Sequence, residues 1–171
     1  MSNITIDESG MRFDLNKERV FLPEKEDFYQ KLSSEAKEGE GISICDIVLL
    51  QPSDCLLLIE AKTSAPKDIR QFVQEIKKKF ADSMLIYMLS WANRENTQAN
   101  NLPPLLKTPD ALQRKIRFVL IIKNYEKEWL VSLQNSLSRE CRSLEKLFSL
   151  EETVVYNPDL ARRKLGITIN E

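Results

Sequence analysis

Two carboxylates and a lysine stand in one mostly apolar segment of the chain. Asp46 is near the start of this segment, and Glu60 and Lys62 are at its end. Carboxylate oxygens are the ligands that a hard cation such as Mg²⁺ prefers, and a lysine can stabilise developing negative charge. Hydrolysis assisted by a divalent cation is therefore the chemistry that these side chains could support.

The absence of histidine excludes several kinds of active site. The 171 residues include no histidine. A histidine general base, a Ser-His-Asp triad and a zinc site with histidine ligands are therefore excluded. A hydrolase of this composition would depend on carboxylates, lysine and a hard cation. Asp46, Glu60 and Lys62 have the required residue types.

The segment around these residues has the pattern of two buried strands joined by a tight turn. Residues 48–50 and 56–59 are apolar throughout, as in strands that are covered on both faces. Because side chains alternate along a strand, Glu60 and Lys62 project to the same face. A carboxylate at such a position needs a lysine or a metal ion beside it. The pair could belong to a catalytic site or be an ordinary buried ion pair.

The position of Asp46 relative to Glu60 depends on the register of this predicted hairpin. A three-residue loop at positions 52–54 places Gln51 opposite Cys55 and Asp46 opposite Glu60. A two-residue loop places Asp46 opposite Ile59 instead and turns it to the other face of the sheet. Only the first register brings the two acids and the lysine together.

Asp46, a hairpin, Glu60-Ala61-Lys62 on a buried strand and a following long amphipathic helix together resemble the PD-(D/E)XK nuclease superfamily. The resemblance covers about residues 23–124, and Cys45 stands where the motif has its proline. It implies an α/β protein with a restriction-endonuclease-like three-layer core, in which a mixed sheet is flanked by helices. The implied order of elements is helix, hairpin, helix, strand.

The same resemblance implies a divalent-metal-dependent nuclease that hydrolyses phosphodiester bonds of DNA or RNA, with DNA favoured. Mg²⁺ or Mn²⁺ would be held by Asp46, Glu60 and the backbone carbonyl of Ala61. Lys62 would orient the attacking water and stabilise charge in the transition state. The alternative is a non-catalytic module that binds nucleic acid or protein and keeps the nuclease-like fold.

Two further polar residues are weaker candidates for the site. Glu35 lies near the edge of the apolar stripe of the first predicted helix, where members of the superfamily often carry an additional acid. Plain solvation of a helix face explains Glu35 as well. Gln71 lies in the helix after the motif, but Glu75 four residues later departs from the glutamine-tyrosine pattern of some nuclease subfamilies.

The elements around the motif follow from the spacing of apolar residues. One helix is predicted from residue 23 to residue 37 or 38, and a longer one ends at about Trp91. Residues 116–122 form a further buried strand, which should pair in parallel with the strand that carries Glu60 because a helix connects them.

A single nuclease-like domain is predicted over residues 1–171. An N-terminal hairpin occupies residues 1–22, with strands near 12–15 and 19–22, and the core occupies residues 23–124. Residues 125–171 form a C-terminal helical extension. Apolar residues make up 42% and charged residues 30%, which is typical of a globular protein.

The charge of the chain bears on nucleic-acid binding. The formal net charge is −1, so no overall attraction to nucleic acid exists, and any contact needs a local basic patch. Lys77, Lys78 and Lys79 form such a run on the long helix and could follow a phosphate backbone. A run of this kind is also common on a solvated helix face.

Other features indicate the compartment and the assembly. No apolar run is long enough to span a bilayer and the N-terminus lacks a signal-peptide pattern, so a cytoplasmic protein without membrane contact is expected. Cys45, Cys55 and Cys141 lack metal-binding spacing and are expected to be reduced and structural. A homodimer is predicted because cleavage of both strands needs two sites. The leucine stripe at residues 129–147 could be either core or a dimer seam.

Overall fold

The computed structural model describes residues 2–35, 41–94, 102–125 and 127–170. Within these ranges the chain forms eight strands and four α-helices. The strands are β1 (Asn3–Glu8), β2 (Met11–Asn16), β3 (Val20–Phe21), β4 (Ile47–Leu50), β5 (Cys55–Lys62), β6 (Lys115–Ile122), β7 (Val154–Tyr156) and β8 (Thr168–Asn170). The helices are α1 (Asp27–Glu35), α2 (Ile69–Trp91), α3 (Lys127–Phe148) and α4 (Pro158–Leu165).

Among the described residues, the larger sheet has five strands in the order β3-β4-β5-β6-β7. β3, β4 and β5 pair antiparallel, whereas β5, β6 and β7 pair parallel. This confirms the predicted parallel pairing of β5 with β6, which arises because α2 carries the chain back across the sheet. The smaller sheet has three antiparallel strands in the order β1-β2-β8.

Side chains of β5 alternate between two apolar clusters, one on each face of the mixed sheet. Leu58 belongs to the cluster that includes α2 and α3, where Phe80 stacks on Phe118 with ring centroids 4.6 Å apart. Leu57 belongs to the cluster formed with the smaller sheet and α4. The α/β class is therefore confirmed. Two helices cover one face of the mixed sheet, and mainly a second sheet covers the other.

The N-terminal hairpin has different strands from the predicted ones. β1 pairs with β2 around the two-residue turn Ser9-Gly10, in which both residues have positive φ, as short hairpins favour. After β2 the Asn16 side chain accepts a hydrogen bond from the Glu18 amide and begins a short 3-10 helix. β3 then pairs with β4 in the mixed sheet. The prediction of a hairpin between residues 12–15 and 19–22 is therefore wrong.

The predicted helices differ from the observed ones mainly at their ends. α1 begins at Asp27 rather than at Pro23, because Pro23–Lys25 forms a 3-10 turn. Its predicted end at residue 37 or 38 lies outside the described residues. α2 ends at Trp91, as predicted.

Residues 127–170 contribute strands to both sheets as well as two helices. β7 pairs with β6 in the mixed sheet, and β8 pairs with β2 in the smaller one. Leu133 and Leu137 of α3 are fully buried in the cluster with α2. The middle of the leucine stripe is therefore core, whereas Leu147 near its end is 73% exposed.

All three cysteines are buried and free, as expected. Burial raises the pKa of the Cys45 thiol to about 12. Within the described part of the chain, no helix is both long enough and apolar enough to cross a membrane.

Candidate active site

The hairpin formed by β4 and β5 has the register that brings the polar side chains together. The Gln51 amide donates to the Cys55 carbonyl at 2.9 Å, and Ile47 lies opposite Ile59 at the other end of the ladder. One step further along this register, Asp46 stands opposite Glu60. The three-residue loop is therefore confirmed, and the two-residue alternative is wrong.

Glu60 is completely buried, and two lysines contact one of its oxygens. Lys62 Nζ and Lys79 Nζ each lie 2.7 Å from Glu60 Oε1. The other oxygen, Oε2, is also buried and has no hydrogen-bond partner among the described residues. An unpaired carboxylate oxygen in the interior is costly, so this atom marks a position where a cation or a donor would be stabilised.

Asp46 is held against β5 by the backbone. Its Oδ2 accepts a hydrogen bond from the Ala61 amide at 2.7 Å, which satisfies a donor that β4 does not reach. Burial and then the negative charge of Glu60 raise the pKa of Asp46 to about 7, against the opposite effect of the Ala61 hydrogen bond. At neutral pH this carboxyl is therefore partly protonated.

The Ala61 carbonyl, predicted as a metal ligand, lies beside the turn between β1 and β2. It accepts a hydrogen bond from the Ser9 hydroxyl at 2.9 Å, and the Thr63 hydroxyl donates to the Ser9 carbonyl at 3.1 Å. A carbonyl oxygen has two lone pairs, so the Ser9 contact leaves one acceptor position on Ala61. The turn residue Ser9 thus borders the candidate site, a contact that no local sequence pattern predicts.

Lys79 belongs to this site, although the sequence predicts it as part of the basic run on α2. Its side chain turns inward to Glu60. Burial disfavours the charged form of Lys79, but the Glu60 carboxylate outweighs this effect and raises its pKa. The available signal was helical spacing, because residue 79 continues the buried positions Phe72 and Ile76 toward Ser83.

Glu24, rather than Glu35, is the N-terminal acid whose charge couples to this site. The pKa of Glu24 is raised first by desolvation and then by Glu8, and it is lowered by Lys79. Glu35 is the exposed last residue of α1. The 3-10 turn at Pro23–Lys25 carries Glu24 and explains the difference, because the sequence pattern predicted a continuous helix there.

The remaining predicted residues lie apart from one another. Lys77 pairs with Glu140 on α3 at 3.7 Å, and Lys78 pairs with Asp82 at 2.7 Å. Gln71 is exposed and donates to Glu75 at 2.9 Å. The three consecutive lysines therefore point to different partners and do not form one continuous basic strip.

The oxygen atoms of the site suit a hard cation that takes only a few of its ligands from the protein. Within the part of the chain that the structure describes, no group of three or more Cys, Asp or Glu side chains is arranged to hold a metal ion. Mg²⁺, however, is commonly bound by one or two carboxylates together with water and substrate oxygens. The buried Glu60 Oε2, the Asp46 carboxyl and the Ala61 carbonyl fit that requirement.

Comparisons with models of protein families, with curated proteins and with solved structures found no match to this chain.

Proposed function

We propose that this protein is a divalent-metal-dependent nuclease that hydrolyses phosphodiester bonds, with DNA as the favoured substrate. The observation that carries the proposal is the environment of Glu60. This carboxylate is fully buried, is contacted by Lys62 and Lys79, and keeps one oxygen without a hydrogen-bond partner among the described residues. A buried charge on the central strand of a sheet is costly, and such groups are concentrated at functional sites.

The residues of the site have separate roles in this proposal. Asp46, Glu60 and the Ala61 carbonyl would hold Mg²⁺ or Mn²⁺, which supplies Lewis-acid polarisation of the phosphate when bound. Lys62, whose side chain is 34% exposed, reaches solvent and stabilises negative charge on the phosphate oxygens. Lys79 fixes the orientation of Glu60 from α2. The pKa of Asp46 is raised to about 7 without a metal, so Asp46 would release its proton when the cation binds.

The order of elements also supports the proposal. α1, the hairpin β4–β5, α2 and β6 follow one another as in the restriction-endonuclease-like fold that the sequence resembles. We therefore propose that fold for the mixed sheet and its helical face. A homodimer belongs to the proposal only for cleavage of both strands of a duplex, which needs two sites. Leu133 and Leu137 of α3 would not form its interface, because they are buried in the core.

A non-catalytic binding module is the second candidate function. The observation that favours it is that both lysines contact the same oxygen of Glu60, so the carboxylate is already compensated without a cation. Lys77 and Lys78 are also engaged in ion pairs. In this case the cluster would be a structural ion-pair network.

Calorimetric titration with Mg²⁺ and with Mn²⁺ separates the two candidates. The nuclease proposal predicts saturable binding by the wild-type protein and its loss in Glu60→Gln. Glu140→Gln is the matched control, because Glu140 carries the same side chain on α3 and pairs with Lys77 instead. Equal heats in all three proteins, or no binding by the wild type, would favour the binding module.

A further inference from the structure

A pocket of about 310 Å³ lies where β5 and β6 end, beside the candidate site. The Asn124 amide donates to the Thr63 carbonyl at 2.8 Å and holds the two chain segments together. Ile69 and Tyr125 line this pocket and also pack against the apolar cluster on the helical side of the mixed sheet. Leu58 lies four residues before Lys62, so both side chains project from the same face of β5. Leu58 belongs to that cluster. The pocket and the Lys62 side chain are therefore on one side of the sheet.

Trp129 gives this pocket an exposed aromatic surface. Its side chain lines the pocket together with Tyr125 and Pro66, and Trp129 is 60% exposed. The other tryptophan, Trp91, is half-buried, and its indole N–H donates to the Thr108 carbonyl at 3.0 Å. Trp91 thus has a structural partner, whereas Trp129 offers a flat face on which an unpaired base could stack.

One lysine and two helix N-termini lie at the pocket. Lys67 lines it and is exposed. Ile69 is the first residue of α2, and Trp129 lies in the first turn of α3, so the positive ends of two helix dipoles are at the pocket. Asp68 caps α2 and Glu128 lies in the first turn of α3, so the group here that can pair with a phosphate is Lys67. Ala65 follows Lys62 by three residues, a stretch of extended chain that spans at most about 10 Å. A phosphate at Lys62 and a group in the pocket could therefore belong to one ligand.

We propose that this pocket binds an unpaired nucleobase of single-stranded nucleic acid, next to the phosphate at Glu60 and Lys62. Trp129 and Tyr125 would contact the base, and Lys67 would pair with a backbone phosphate. The inference deepens the proposed function and rests on it for the position of that phosphate. It selects the substrate class, because a base within an intact duplex is stacked on its neighbours and cannot enter the pocket.

The test uses Trp129 as its own reporter and measures binding without cleavage. The chain has two tryptophans, so Trp129 is the one that remains in Trp91→Phe. Titration of this variant with single-stranded oligothymidylate in EDTA should quench the fluorescence to saturation, whereas a duplex of the same length should quench it much less. Trp129→Ala in the full-length protein should weaken single-strand binding, measured by fluorescence anisotropy of a labelled oligonucleotide, by about tenfold or more.

Val131→Ala is the matched control, since Val131 is 66% exposed on α3 and is not among the residues that line the pocket. It should bind the oligonucleotide as the wild type does. The inference is overturned if single-stranded DNA leaves Trp129 fluorescence unchanged, if duplex quenches it equally, or if the two α3 variants bind alike. Because EDTA suppresses metal-dependent cleavage, a protein that cuts but shows no quenching refutes only the pocket. If single-stranded DNA quenches the Trp129 fluorescence but the protein never cleaves nucleic acid, only the nuclease proposal is refuted.

Discussion

Lys79 Nζ lies 2.7 Å from Glu60 Oε1, the same oxygen that Lys62 Nζ contacts at 2.7 Å. One lysine comes from the strand that carries Glu60 and the other from the helix that follows it, so the contact joins α2 to β5. Lys62 is thereby not the sole compensation for the buried carboxylate. Lys79 would keep Glu60 paired if the half-buried Lys62 side chain turned toward solvent.

The contribution of this second lysine can be measured as a coupling free energy. Lys79→Met should lower the free energy of unfolding by about 1–3 kcal/mol, because Glu60 is left buried with one partner. In the Glu60→Gln background, Lys79→Met should lower the free energy of unfolding much less. Urea unfolding of the two single variants and the double variant gives the coupling. Lys78→Met is the control, and as a surface pair with Asp82 it should cost no more than about 1 kcal/mol. Additive effects would contradict the role assigned to Lys79.

Asp46 should make the stability of the metal-free protein depend on pH. Its pKa is raised from 3.8 to about 7, so between these values the folded state binds more protons than the unfolded state. The contribution of Asp46 to the free energy of unfolding is therefore fully present below pH 4 and is lost as the pH rises toward 7. The free energy of unfolding of Asp46→Asn should not show this decrease as the pH rises. Urea unfolding in EDTA at several pH values measures it, and a constant difference between wild type and variant would show that the pKa is not raised.

The aromatic pair beneath the site should be the main contributor to the packing of α2 on the mixed sheet. Phe80 and Phe118 are fully buried and stacked, with ring planes 6° apart. Phe118→Ala should lower the free energy of unfolding by about 3–5 kcal/mol, because it removes a large side chain from a closely packed interior. Leu147→Ala, at a position that is 73% exposed, is the control and should change it by less than about 0.5 kcal/mol. A comparable loss in both variants would contradict this packing.

The strands of the hairpin are predictable from the sequence because their signals are local, whereas the sequence leaves two registers open. Continuous apolar runs predict β4 and β5, and the alternation along β5 places Glu60 and Lys62 on one face. The crossover through α2 then fixes the parallel pairing of β6. Only the observed three-residue loop decides that Asp46 joins them.

The contacts that the sequence did not indicate come from segments far away in the chain. The Ser9 hydroxyl reaches the Ala61 carbonyl because β1 and β2 pack as a separate sheet, and no local pattern encodes that docking. Glu24 is carried by the 3-10 turn at Pro23–Lys25, where the sequence pattern predicts a continuous helix. The adjacent lysines predict an exposed charged face for Lys79, whereas its spacing from Phe72 and Ile76 places it beside the buried stripe of α2.

The most direct test of the proposed function is cleavage of labelled DNA and RNA, single-stranded and duplex, with Mg²⁺ or Mn²⁺. The wild type should cut at least one of these substrates, and EDTA should abolish the activity. Glu60→Gln and Lys62→Met should each reduce the rate by about 100-fold or more, whereas Glu140→Gln should retain it. Circular dichroism confirms that each variant is folded. Cleavage that persists in EDTA, or that is unchanged in folded Glu60→Gln, would contradict the assignment of this site.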